Sequence, residues 1–146
     1  CSNLVFGCLL CTLFVFGVRY RTEKSVFKTL HARKAKDWNS VLEHTQNISR
    51  FSTLDSYGTP LLYYQGLGHF LKKDFPLALK DFEGALKENP NHIYVLMNYA
   101  SLLSIHKRTE EARKVYEQVI EMYPEYIGAQ NNLAALNAVA MKGTKK

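Results

Sequence analysis

From Cys1 to Val18 the chain is almost continuously apolar, CSNLVFGCLLCTLFVFGV. Ser2, Asn3 and Thr12 are the polar positions in this run, and no charge precedes Arg19. With Tyr20 the run reaches the roughly 20 residues that an α-helix needs to cross about 30 Å of hydrocarbon. It predicts a transmembrane helix over 1–20. Beyond Tyr20 the pattern changes to helices with short breaks, and strict apolar–polar alternation is scarce, so strands are not expected. Helices are predicted over 24–36, 38–49, 61–72, 75–88, 92–106, 110–122 and 126–141. Asp74 is a suitable N-cap for 75–88, with Pro76 in its first turn. Thr109 is the expected N-cap of 110–122, where Glu110 and Glu111 meet the positive end of the helix dipole. ENPN and YPEY punctuate the chain, RFSTLDSYGTP reads as a polar connector, and KGTKK as a frayed basic tail. The expected organisation is a membrane helix at 1–20, a basic juxtamembrane helix at 21–36, helical repeats with a capping helix at 37–141, and a disordered tail at 142–146.

The strongest regularity is a period of 34. It maps Leu62 onto Leu96, Gly66 onto Ala100, Ala78 onto Ala112, Phe82 onto Tyr116 and Pro90 onto Pro124; a further shift maps Ala100 onto Ala134 and Asn98 onto Asn132. A helix–turn–helix unit of this length, with small, aromatic and proline residues at fixed offsets, resembles the tetratricopeptide repeat. The steric reading is direct. Small residues at Gly66, Ala78, Ala85, Ala100, Ala112 and Ala134 let paired helices approach; Phe82 and Tyr116 fill the space between successive pairs; Pro90 and Pro124 end the second helices. The resemblance covers 59–140. An earlier unit is degenerate: KDWNSVLEHTQNI aligns with KDFPLALKDFEGA at an offset of 37, setting Trp38 on Phe75 and Ile48 on Ala85. The resemblance implies an all-α fold, a short right-handed α-solenoid, at about the minimum number of repeats that can bury a continuous core.

Charge sharpens the picture. The formal net charge is +6, and the stretch from Arg19 to Lys36, with seven Lys or Arg against Glu23, accounts for all of it; residues 37–146 are balanced at twelve of each sign. A basic protein could bind nucleic acid, but basic residues massed directly after an apolar helix suit a cytoplasmic flank beside anionic headgroups. That orients the repeats toward the cytoplasm and makes no case for nucleic acid. A signal peptide would carry its charges first and end in small residues, unlike FVFGVRYR. A lipoprotein beginning at Cys1 is the other alternative, although a polar tether ordinarily follows an acylated cysteine. The absence of a leading Met suggests a piece of a longer protein. Cys1, Cys8 and Cys11 all lie in the apolar run, and a single C-x-x-C without a second pair or a nearby His reads as small hydrophobes.

No catalytic, metal or cofactor constellation is visible. His31, His44, His69, His92 and His106 are dispersed, and the Gly66–Gly68 pair lacks the preceding strand of a phosphate loop, so close packing is the expected role. The chain itself is therefore not read as an enzyme. A protein-binding surface is the better reading. In tetratricopeptide solenoids the first helix of each pair lines a concave face. By register that face would gather Tyr63, Leu67, Phe70, Tyr94, Met97, Ser101 and Asn131, aromatic and nearly uncharged, a composition that suits a protein or peptide partner. The two-carboxylate clamp of chaperone-binding family members uses Lys, Arg and Asn. Tyr63 and Leu67 stand where it needs Lys and Asn, so that specificity is not carried over.

The layout also resembles the carboxy-terminal tail of bacterial O-antigen ligase and polymerase family proteins: a membrane helix, a basic flank, A-K-D-W, then LDSYGTPLLYYQGLGHFLKKDFPLALKDFEGALKENPNH. That resemblance implies a non-catalytic tail of a glycan-transferring protein of the bacterial inner membrane. The family's catalytic loop has no counterpart here, so no site residue is carried over. The rival expectation is a free-standing single-pass adaptor.

Overall fold

The computed structural model describes residues 2–46 and 53–143, and these form α-helices joined by short turns. α1 spans Ser2–Lys34, α2 Trp38–Gln46, α3 Leu61–Leu71, α4 Phe75–Glu88, α5 Ile93–Ile105, α6 Thr109–Met122 and α7 Ile127–Gly143. Among the described residues the extended structure is an isolated bridge between Leu54 and Pro60. The expected helices are all present, with ends shifted by a few residues. The predicted 1–20 and 21–36 segments form one helix: α1 continues unbroken through Tyr20, with Thr22 Oγ1 donating back to the Val18 carbonyl at 3.0 Å. Residues 142–143 belong to α7 rather than to a tail. The end of the predicted 38–49 helix, including Ile48, lies outside the described residues.

The chain divides into two compact units, residues 1–78 and 79–146. In the first unit α1 has two characters. Its amino-terminal half exposes Phe6, Leu9, Leu13 and Phe16. From Thr22 onward one stripe is buried, at Thr22, Val26 and Thr29, the spacing of one helical face. This stripe packs on α2, where Val41, Leu42 and Thr45 are buried. Ser25 Oγ donates to the His44 carbonyl and ties the two helices together. α2 in turn packs on α3. A Cβ at Gly68 would lie 2.8 Å from Leu42 Cδ2, so glycine there permits the close approach expected of it.

The connector before α3 is an ordered turn. The buried Asp55 carboxylate accepts from Tyr57 N and Thr59 N, both at 2.8 Å, through Oδ1, and from the Tyr64 hydroxyl at 2.8 Å through Oδ2. Gly58, with φ 77°, takes the left-handed conformation this turn requires. Burial, and then the bond to Asp55, raise the Tyr64 hydroxyl's pKa above its usual value.

Three helix ends share one geometry. Lys36, Lys73 and Lys107 have φ of 58°, 64° and 59°. Each lysine amide donates to the carbonyl three residues back, and the next amide donates to the carbonyl five back: Asp37 to Ala32 at 2.9 Å, Asp74 to His69 at 2.9 Å, Arg108 to Leu103 at 2.9 Å. These are Schellman closures that satisfy the last carbonyls of each helix. The residue after the lysine then opens the next helix. Asp37 accepts from Ser40 Oγ at 2.7 Å, a bond that holds its carboxyl below the usual carboxylate range. Asp74 accepts from Leu77 N at 3.4 Å, the cap expected of it. The third start differs from expectation. Thr109 lies inside α6, and Arg108 occupies the cap position without a side-chain bond to the helix backbone. Its guanidinium reaches forward instead, to both carboxylate oxygens of Glu111 at 2.7 and 2.6 Å.

In the second unit Ala100, Leu103, Ala112 and Tyr116 form one buried cluster, and Leu96, Val119 and Ala129 another. Ala100 and Ala112 have no exposed surface, as the small-residue positions of a tight α5–α6 crossing require. α6 packs on both α5 and α7, and Arg113 Nη1 of α6 donates to Asn137 Oδ1 of α7.

Candidate functional site

α5 and α7 touch along one side of α6. Beside this contact lies an open cleft of about 430 Å³. α5 contributes Ser101, Ser104 and Ile105; α7 contributes Asn132, Ala135, Leu136 and Val139; Tyr116 reaches in from α6. The spacing explains why these residues share the cleft: 101, 104 and 105 lie on one face of α5, and 132, 135, 136 and 139 on one face of α7. Ser101 Oγ donates to the Met97 carbonyl at 2.8 Å and lies 3.1 Å from the Tyr116 hydroxyl. Two hydroxyl groups are thereby fixed among apolar side chains. Ile105 and Val139 are exposed, and Lys107 is the charged residue of the lining. The cleft therefore offers apolar surface together with a few oriented hydrogen-bonding groups.

The seven residues expected on a concave face do not all serve as open surface. Tyr63 is buried, 7% exposed, with its ring 5.5 Å from that of Tyr64. Its position one turn inside α3 turns it into the packing of the first unit, so it is corrected to a core residue. Leu67 and Phe70 are half-buried, and Phe70 lies 5.9 Å from Phe75. In the second unit Tyr94 is 57% exposed and Asn131 is exposed. Met97 is half-buried and packs against both core clusters, so its alignment with Tyr94 and Ser101 overstated its access. Of the seven, Ser101 lines the cleft. The cleft lining also includes Ile105, Asn132, Ala135 and Val139, which the concave-face expectation did not name.

The histidines serve local structure. His92 caps α5, its Nδ1 accepting from Val95 N at 3.4 Å, while His106 Nδ1 lies 3.0 Å from the Leu102 carbonyl at the opposite end. His31 stacks 5.6 Å from Phe27. Among the described residues no group of three His, Cys, Asp or Glu is placed to hold a metal ion.

Residues 69–136 match the sequence model of the tetratricopeptide repeat family. Among curated proteins, the peroxisomal targeting signal receptor of Saccharomyces cerevisiae is 33% identical over 69 residues, 47% of this chain and 11% of the receptor. The same receptor from Candida glabrata is 27% identical over 95 residues, 62% of this chain and 16% of its own length. The chain thus spans well under a fifth of these relatives. Among solved structures, the first tetratricopeptide domain of Spaghetti (RPAP3), bound to the HSP90 peptide SRMEEVD, superposes with a TM-score of 0.74 at 18% identity, covering 84% of this chain and 94% of that one. The Arabidopsis OM64 tetratricopeptide domain gives 0.73 at 14% identity, covering 83% and 98%. Residues 69–136 thus resemble tetratricopeptide repeat sequence, and the chain shares the helical-repeat fold of these structures.

Proposed function

We propose that this chain is a protein-interaction module whose second unit takes an extended, largely uncharged peptide segment in the cleft between α5 and α7. The observation that carries this reading is the cleft itself. Exposed Ile105 and Val139 flank the fixed hydroxyls of Ser101 and Tyr116, and Lys107 is the lone charge. Solved domains of the same fold hold peptides, as the HSP90-peptide complex of Spaghetti does. An acidic carboxy-terminal peptide suits this chain poorly, because Tyr63 and Leu67 replace the Lys and Asn of the chaperone clamp. The test is capture of membrane-extract proteins by the immobilised full chain. Ile105→Asp with Val139→Asp, both on exposed positions, should remove at least nine-tenths of the specific capture, since each buried charge costs several-fold in binding. Circular dichroism should show unchanged helicity. Capture that survives the double substitution places the binding surface elsewhere.

The finer reading adds a tether. α1 is long and apolar enough to cross a membrane, and its exposed apolar half leads into the basic flank. We infer a bilayer-anchored module with its repeats on the cytoplasmic side, and, from the layout of helix, flank and repeats, a tail of an O-antigen ligase-like protein of the bacterial inner membrane. A free-standing adaptor accounts equally for the same features, and the curated relatives above are targeting receptors rather than glycan-transferring enzymes. The reading frame upstream of Cys1 discriminates: many apolar spans favour the ligase tail, an immediate start codon the adaptor. A topology reporter fused after Lys146 that signals outside the cytoplasm overturns the orientation.

A further inference from the structure

The basic flank is not an undifferentiated cloud of charge. Arg21, Lys24 and Lys28 recur at the three- and four-residue spacing of one face of α1 and are all exposed. Arg19, by contrast, is engaged by Glu23 at 2.7 Å. The three cations share a cleft of about 240 Å³ with Ser25 from α1 and with Glu43 and His44 from α2. The Ser25–His44 hydrogen bond crosses the same seam and holds the two helices at this spacing. Three cations face one carboxylate, Glu43, so the cleft carries a surplus of positive charge on a framework fixed by helix packing.

Its location along α1 selects the ligand. The continuous exposed apolar surface of the amino-terminal half runs to Phe16 and Tyr20, and beyond it exposed Phe27 and Leu30 are interspersed with the basic residues. At a rise of about 1.5 Å per residue, Arg21 and Lys24 lie within roughly 8 Å of Tyr20 along the axis, and Lys28 within about 12 Å. The headgroup zone is about 5–8 Å deep on each face of a bilayer, and long basic side chains reach back toward it. We propose that the cleft of Arg21, Lys24 and Lys28, walled by Ser25, Glu43 and His44, binds the phosphate of an anionic phospholipid in the bilayer that α1 enters. The first repeat-like helix pair is thereby docked against the membrane surface at a defined face. The proposal rests on the reading of α1 as a membrane helix.

Two measurements keep the two ideas apart. Co-sedimentation of the full chain with pure phosphatidylcholine vesicles reports the apolar helix alone. Retention of phosphatidylglycerol against phosphatidylcholine by the full chain in detergent, counted by native mass spectrometry, reports the cleft. The wild-type chain should prefer phosphatidylglycerol by at least about tenfold, since each basic residue at an anionic surface is worth roughly a fivefold change. Arg21→Gln/Lys24→Gln/Lys28→Gln should bring the preference to near parity, with co-sedimentation on phosphatidylcholine intact. Arg33→Gln/Lys34→Gln/Lys36→Gln removes the same charge outside the cleft and should leave most of the preference. Equal loss in both triple variants, or no preference in the wild type, overturns the cleft. Displacement of bound lipid by millimolar inorganic phosphate overturns the lipid assignment in favour of a soluble anion. Failure to co-sediment with phosphatidylcholine while the preference persists removes the tether and leaves the anion cleft standing.

Discussion

The α1–α2 pair of the first unit and the α5–α6 pair of the second end their leading helices identically and pack their seams differently. Lys36 and Lys107 hold the same left-handed conformation, and the same amide–carbonyl closures surround them. Between the helices the chemistry diverges. α5 and α6 cross on Ala100 and Ala112 with Tyr116 filling the interior. α1 and α2 pack together with Thr29 and Thr45 buried, and the threonine hydroxyls return to carbonyls of their own helix: Thr29 to Ser25 at 2.9 Å and Thr45 to Val41 at 2.9 Å. A buried hydroxyl needs a partner, and a helix supplies one four residues back without help from the neighbouring helix. A repeat can therefore lose its small-residue signature and keep its turn, because the turn depends on backbone closure, while the α1–α2 seam is filled by other side chains and tied by the Ser25–His44 hydrogen bond.

The comparison can be broken most forcefully at the alanine seam. Ala100→Leu has no space to enter and should cost about 3 kcal/mol, seen as a lowered melting temperature of the full chain in detergent. Thr29→Val keeps the seam's volume and removes a hydroxyl satisfied within its own helix, so its effect should stay below about 1 kcal/mol. Equal losses would mean that the two seams are packed alike. Gly68→Leu presses on Leu42 in the α2–α3 contact and should cost about 2 kcal/mol. If it is neutral, that contact is looser than the 2.8 Å approach implies.

Tyr64 is a smaller lever. Its folded-state pKa is raised above the ordinary 10.0, so the folded chain keeps a proton that the unfolded chain releases. That contribution is complete below about pH 10 and fades as pH rises further. Melting followed from pH 8 to 11 should therefore show a decline that Tyr64→Phe reduces, the remainder including Tyr99, whose hydroxyl pKa is also raised by burial and by Glu83. Tyr64→Phe should itself lower stability at neutral pH by about 1 kcal/mol, because Asp55 loses one of its three donors. A variant with the wild-type alkaline decline would assign that decline to another group. The smallest effects belong to the helix starts. Asp74→Ala should cost about 1 kcal/mol, and Arg108→Asp, which gives α6 the capping carboxylate that α4 has, should gain a few tenths to about 1 kcal/mol. A loss on Arg108→Asp would show that the exposed Arg108–Glu111 pair outweighs a cap, contrary to the modest worth of such pairs.

Much of the helical layout was legible because its signals are local. Asp74, Pro76 and Pro90 act on the backbone within a turn of themselves, and the 34-residue echo of Ala78, Phe82 and Pro90 in Ala112, Tyr116 and Pro124 repeats a steric solution. The Asp55 turn was not legible. Its carboxylate is satisfied in part by Tyr64, nine residues on, and nothing in a polar Gly-containing stretch announces that a helix will return an aromatic hydroxyl to it. The candidate site divides in the same way. Register placed Tyr94, Ser101 and Asn131 on the first helices of their repeats, but it could not say that Tyr63 and Met97 would be drawn into packing.

Helix positions, the period of the repeats, the apolar start and the location of the charge surplus are properties of residues and their near neighbours, and the chain carries them before it folds. Which aromatic side chains are open, where α5 and α7 leave a cleft, and how α2 walls the basic face of α1 depend on elements distant in sequence. Exposure is a relation between surfaces, and only packing settles which surfaces meet.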